Sequence, residues 1–186
     1  MAPLEARHTH EEFIYTPLQD VMANTLFDGN WAIMEAVRDG DVERVAAIIA
    51  WTLKAVKGFG VKLTNPGGTE AWQWGKNVSC IRDPVPYFEV TPAEIIQSII
   101  KANELLALPH SVHLHCNNLG MPGNYTCTLG TFGLIPDLNK RRQTLYATHV
   151  QFHAYGGTEW KDFCSKSEPI ARFVNMRPQI VIDMGQ

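Results

Sequence analysis

Residues 111–124 read SVHLHCNNLGMPGN. Successive side chains of an extended chain point to opposite faces, so Val112 and Leu114 fall on one side and His113 and His115 on the other. The tail of the stretch is rich in Asn and Gly with one Pro, which is the chemistry of a loop. A strand therefore delivers two imidazoles at i, i+2 just before a turn. That spacing suits a zinc ion because both rings leave the same face. A single strand histidine is more often a hydrogen-bonded core or surface residue, so the reading depends on whether neighbouring strands repeat the pattern.

They do. In GVKLTN (60–65) Val61 and Leu63 share a face and Lys62 takes the other. In TLYATHVQFH (144–153), read as one strand, His149, Gln151 and His153 oppose Val150 and Phe152. In QIVIDMGQ (179–186) Ile180 and Ile182 oppose Val181 and Asp183. Each strand offers one apolar face and one face bearing Lys, His or Asp. A buried lysine is costly unless it is paired or converted to an anion that binds metal.

Helical patterns lie between the strands. In 41–58, Val42, Val45, Ala46, Ile49, Leu53 and Val56 recur at helical spacing, with Asp41 as N-cap and Gly58 past the end. In 91–108, Thr91 caps, Pro92 opens the helix, Glu94 completes a capping box, and Ile95, Ile96, Ile99, Ile100 and Leu106 form the apolar stripe. Residues 158–174, TEWKDFCSKSEPIARFV, read as a looser helix. This alternation predicts an α/β fold of parallel β/α units, either an open doubly wound sheet or part of a (β/α)8 barrel. No glycine-rich phosphate loop follows a strand, which argues against nucleotide binding and against the open sheet. In a barrel the polar faces would point inward, and the C-terminal strand ends would line the active site.

Composition narrows the partners. A chain of 186 residues, 45% hydrophobic, can bury the core of one domain. The formal net charge of -3 offers no broad attraction to nucleic acid or anionic lipid, and no apolar run approaches the ~18 residues of a membrane span. The opening MAPLEARHTHEEF has no apolar secretion segment, so the cytoplasm is expected. Cys80, Cys116, Cys127 and Cys164 form no C-x-x-C pair and read as reduced thiols, Cys116 as a small buried hydrophobe.

Four of these stretches, VKLTNPGGTEAW, HLHCNNLGMPGN, THVQFHAYGG and VIDMGQ, resemble consecutive motifs of one protein family. It is the family of amidohydrolase-type subunits of formylmethanofuran dehydrogenase and of the related bacterial formyltransferase/hydrolase complex, within the amidohydrolase superfamily of metal-dependent (β/α)8 barrels. The resemblance runs from RHTHEE at 7–12 to Gln186. It implies a partial TIM barrel covering about strands four to seven, with residues 1–186 as the central part of an amidohydrolase-like barrel domain whose flanking strands lie outside this chain.

The resemblance also implies roles. Lys62 stands where a carboxylated lysine bridges two zinc ions, and His115 where a fifth-strand histidine binds one of them. The sixth-strand histidine is assigned to His149 in preference to His153, so Lys62, His115 and His149 form the expected catalytic and metal-binding set. Asn117, Asn118, Pro122, Gly123 and Asn124 would form a substrate loop. The family's first-strand His-x-His and eighth-strand aspartate have no counterpart. His8 and His10 have the right spacing, but no apolar strand precedes them, and Asp183 sits on the strand before the catalytic one. The implied activity interconverts formylmethanofuran with formate plus methanofuran, with the other subunits of such a complex as partners and no redox cofactor motif in the chain. The competing expectations are an amidohydrolase of another amide, and a non-catalytic piece lacking a complete metal site. Trp72 and Trp74 read as packing residues, and NKRR at 139–142 as a solvated basic turn.

Overall fold

The computed structural model describes residue 11 and residues 22–73, 75–136 and 143–185. His8, His10, Trp74, NKRR at 139–142 and Gln186 lie outside the described residues. In chain order the elements are β1 (Asn24–Leu26), α1 (Trp31–Arg38), α2 (Val42–Val56), β2 (Gly60–Thr64), α3 (Gly68–Gln73), α4 (Pro92–Leu105), β3 (Val112–His115), α5 (Tyr125–Gly133) and β4 (Leu145–Ala147). A 3-10 turn (Val150–His153), β5 (Tyr155–Gly156), β6 (Cys164–Ser165), α6 (Ser167–Asn175) and β7 (Ile180–Ile182) complete them.

The main sheet is entirely parallel and runs β1-β2-β3-β4-β7, in the order of the chain. A doubly wound sheet reverses its strand order at a switch point, whereas sequential addition is how a barrel wall is built. The topology therefore selects the barrel-type α/β arrangement over the open alternative. β5 and β6 form a separate antiparallel pair.

Local chemistry explains the helices on the outer face. Asp41 accepts the Arg44 N–H at 2.8 Å and starts α2. The Thr91 hydroxyl accepts from the Glu94 N–H at 3.3 Å, while the Glu94 carboxylate accepts from the Thr91 N–H at 2.7 Å. That reciprocal box, with Pro92 in the first turn, fixes the start of α4. Val45, Ala46 and Ile49 of α2 and Ile95, Ile96, Ile99 and Ile100 of α4 are buried against Val61, Leu63, Val112 and Leu114 of the sheet. Each large aliphatic side chain so buried contributes about 1.5–3 kcal/mol. α2 ends at Val56 with Gly58 past its end, as the glycine signal suggests. Lys57 takes the left-handed conformation (φ 52), and Gly58 follows it because a Cβ there would collide with Thr25 Oγ1.

Two expectations are corrected. The stretch 144–153 is not one strand: β4 stops at Ala147, His149 adopts a left-handed conformation (φ 57), and Val150–His153 form the 3-10 turn. Alternation therefore does not apply to His149, Gln151 and His153. Residues 158–174 are not one helix either. Asp162 accepts the N–H groups of Thr158 and Glu159 at 2.8–3.0 Å and closes a turn that competes with helix, so α6 begins only at Ser167. β1 and α1 were not anticipated; a three-residue strand is too short to show periodicity. Among the described residues no helix is long and apolar enough to cross a membrane.

Candidate functional site

Register places the polar side chains. Lys62 lies opposite His113, Thr64 opposite His115, and His113 opposite Tyr146. Since Val61, Leu63, Val112, Leu114, Leu145 and Ala147 all face the helices, Lys62, His113, His115 and Tyr146 share the other face. The His113 and Tyr146 rings stack at 4.6 Å. His115 is the last residue of β3, one step nearer the C-terminal sheet edge, and its ring meets that of His149 edge-on with centroids 4.6 Å apart. The structure thus puts Lys62 and His115 on one sheet face, His115 one same-face step nearer the C-terminal edge, and brings His149 against His115 by a turn rather than by strand alternation.

Burial favours the neutral imidazole at His115 and His153. Burial, with the nearby Lys62 charge, pushes His115 down to about 4, and its Nε2 is buried without a hydrogen-bond partner. His153 is fully buried with both ring nitrogens unpartnered and is likewise pushed down to about 4 by burial and by His115 and His149. Burial lowers Lys62, while Asp183 and Asp28 pull it back up. Burial would raise the Asp183 carboxyl, yet the N–H groups of His149 and Gly185 and the Tyr146 hydroxyl hold it below the usual range.

Asp28 and Tyr146 are members of this neighbourhood that sequence reasoning missed. Asp28 is fully buried after β1, accepts the Thr64 N–H at 2.9 Å and the Thr69 hydroxyl at 3.2 Å, and burial raises it to about 6. Asp28 had no readable signal, because β1, Asn24–Leu26, is too short and too polar to announce the strand that places it.

The five loop residues separate into two groups. Asn117 and Asn124 are fully buried. Asn117 Nδ2 donates to Pro66 O at 2.9 Å, Asn65 Oδ1 at 3.1 Å and Val78 O at 3.4 Å. Asn124 Nδ2 donates to Phe152 O at 2.7 Å and Asn118 O at 3.0 Å, and its Oδ1 accepts the Tyr155 N–H at 3.0 Å. The expectation of substrate contact is corrected for these two: their side chains are spent joining loops. Asn118, Pro122 and Gly123 are half-buried and remain at the surface.

Beside His115 opens a cleft of about 300 Å³ lined by Thr64, Trp72, Asn77, Asn118, Leu119 and Met121 among others. Trp72 is not a packing residue. It is 65% exposed, and its Nε1 donates to Asn77 Oδ1 at 3.2 Å, which tethers the edge of the ring. Among the described residues no three His, Cys, Asp or Glu side chains converge to hold a metal ion by themselves. Cys116 and Cys127 are buried, and burial pushes both thiols up, so neither is a ready ligand.

A profile of the amidohydrolase family matches residues 1–186. The chain belongs to the amidohydrolase family. This amidohydrolase chain is 54% identical over 192 residues to Protein FwdA of Methanocaldococcus jannaschii and 29% identical to a subunit of the formyltransferase/hydrolase complex Fhc of Methylorubrum extorquens. Both alignments cover 100% of this chain and 34% of the relative, so the chain spans about a third of their length. It also matches a chain in the crystal structure of the Methylorubrum extorquens FhcABCD complex with methylofuran, at a TM-score of 0.89 and 30% identity, covering 100% of this chain and 34% of that one.

Proposed function

We propose that this amidohydrolase chain is the central part of a zinc-dependent subunit that interconverts a formylated methanofuran with formate and the free amine, working in a complex with other subunits. The observation that supports it most is that Lys62 and His115 share one sheet face, His115 at the C-terminal end of its strand with the His149 ring against it. The 54% identity to FwdA and the likeness to the FhcABCD chain carry the substrate class.

The donor set fits a metal pair in part. His115 presents a buried, unpartnered Nε2 on a ring that stays neutral near pH 7, the form a metal ligand requires. His149 stands beside it as the second imidazole. Lys62 would supply an anionic ligand if its neutral amine added carbon dioxide, forming an N–C bond, releasing one proton and leaving a carbamate. Its lowered pKa raises the neutral fraction available for that addition. The remaining ligands would come from outside the described residues. When bound, zinc supplies Lewis acidity at the amide carbonyl and makes water nucleophilic at neutral pH.

The other residues act on the substrate. Trp72, Leu119 and Met121 give the cleft an apolar wall next to His115, suited to the part of the amide away from the reacting carbon. Asn118 stands on the cleft wall, its carbonyl accepting from the buried Asn124 Nδ2 at 3.0 Å. Purified full-length protein, assayed for formate release from formylmethanofuran with and without chelator, tests the proposal. Formate release that the chelator abolishes is expected, and hydrolysis of generic amides at equal rates would contradict the substrate class.

A further inference from the structure

His149 reaches the site by an unusual backbone. A non-glycine residue at φ 57 is strained and persists where its surroundings hold it. Asp183 takes the two N–H groups at this bend, while the His149 carbonyl accepts from the Phe152 N–H at 2.9 Å. The His149 N–H donates to Asp183 Oδ1 at 2.8 Å, and the following N–H, of Val150, donates to the Asp183 backbone carbonyl at 3.0 Å. Asp183 is itself fixed three ways: its N–H donates to Ala147 O at 3.0 Å, its Oδ1 accepts the Gly185 N–H at 2.8 Å, and its carboxylate accepts the Tyr146 hydroxyl. Gly185 completes the clamp from the ring side. At φ 68, a Cβ there would lie 2.7 Å from His149 Nδ1 and 2.6 Å from Gln151 Nε2.

We propose that Asp183 is a positioning residue: its Oδ1 locks His149 in the left-handed conformation while Gly185 leaves room for the ring, and together they set the imidazole edge-on to His115. The consequence for metal rests on the reading of His149 as a ligand given above. The geometry separates this role from two others that a carboxylate near Lys62 could play, a charge partner and a proton carrier. Both backbone donors use the same oxygen, and asparagine keeps that acceptor while losing the charge.

The test uses the full-length protein in its complex, with Asp183→Ala, Asp183→Asn and Gly185→Ala. Two readouts are taken: crystal structures for the conformation of His149, and zinc retained against a graded chelator. Asp183→Ala should release His149 from φ 57 and lose zinc at roughly tenfold lower chelator, at the low end of the 10–100-fold seen for residues that orient metal ligands. Asp183→Asn should keep both within about threefold. Gly185→Ala should shift the His149 ring with Asp183 in place and also weaken zinc retention, and it decides the matter if the Asp183→Ala complex does not assemble.

An unmoved His149 in Asp183→Ala, or an asparagine variant as impaired as the alanine one, would overturn the proposal. If wild type and His149→Ala retain zinc equally, it is the ligand reading that fails. The crystal structures then decide by themselves whether Asp183 holds His149.

Discussion

Replacing Asn117 by leucine keeps the number and branching of the side-chain heavy atoms and removes the amide. Asn117 Nδ2 has two hydrogens, so the contacts at 2.9 Å to Pro66 O and 3.1 Å to Asn65 Oδ1 are its main bonds, and Val78 O at 3.4 Å is a weak third. Each buried acceptor left without a donor costs about 1–3 kcal/mol, less at Asn65, which is half-exposed. Leucine also removes Asn117 Oδ1, which is buried and unpartnered, and that gain offsets about 1 kcal/mol. The net expectation is about 1–3 kcal/mol of local destabilisation. Hydrogen exchange in the full-length protein reads it directly, at the amides of Asn65 (bonded to His115 O at 3.0 Å) and Gly68 (bonded to Asn65 O at 2.7 Å). These should exchange about 5- to 150-fold faster, while the amides of α4 stay unchanged. Unchanged exchange at Asn65 and Gly68, or equal acceleration in α4, would show that Asn117 does not tie the two loops.

Stability should fall with acid through His153. Its folded pKa of about 4 lies below the unfolded value, so its stabilisation is complete above about pH 6.5 and is lost as pH falls towards 4; from pH 7 to 5 the loss is about 2 kcal/mol. Urea midpoints measured against pH should show this slope in wild type and a flatter one in His153→Leu; parallel profiles would count against it. Trp72→Ala, removing an exposed and tethered ring from the cleft, should raise KM for the formylated amine about tenfold with little change in kcat. A pure kcat effect would move Trp72 from binding to chemistry.

The inner and outer faces of β2 and β3 were legible in the sequence because alternation needs only a few residues. Val61, Leu63, Val112 and Leu114 are all buried, while Lys62 and His115 are half-exposed on the opposite face. The capping box at Thr91 was legible for a similar reason: it depends on contacts three residues apart. His149 was assigned to the site through family resemblance and a strand pattern, and the strand pattern was wrong. What places it is a bond to Asp183, 34 residues away, and no local pattern encodes that. The same holds for Asn117, whose Asn-Asn-Leu-Gly setting reads as a surface loop, although its acceptors at Pro66 and Val78 bury it. The break at Thr158–Asp162 hides beside the true helix that starts at Ser167, because a single carboxylate collecting nearby N–H groups outcompetes the helix there.

Lys62 is proposed to carry the anion that holds a zinc pair beside His115 and His149. Zinc per protein chain, counted in the full-length wild type, Lys62→Ala and His115→Ala, tests it most directly. Losing a bridging anion leaves two dications facing each other with less charge between them, whereas losing one imidazole removes a neutral ligand. The account therefore predicts two zinc ions in wild type, a larger loss in Lys62→Ala than in His115→Ala, and no formate release from either variant. Full zinc occupancy with near-normal turnover in Lys62→Ala would contradict it.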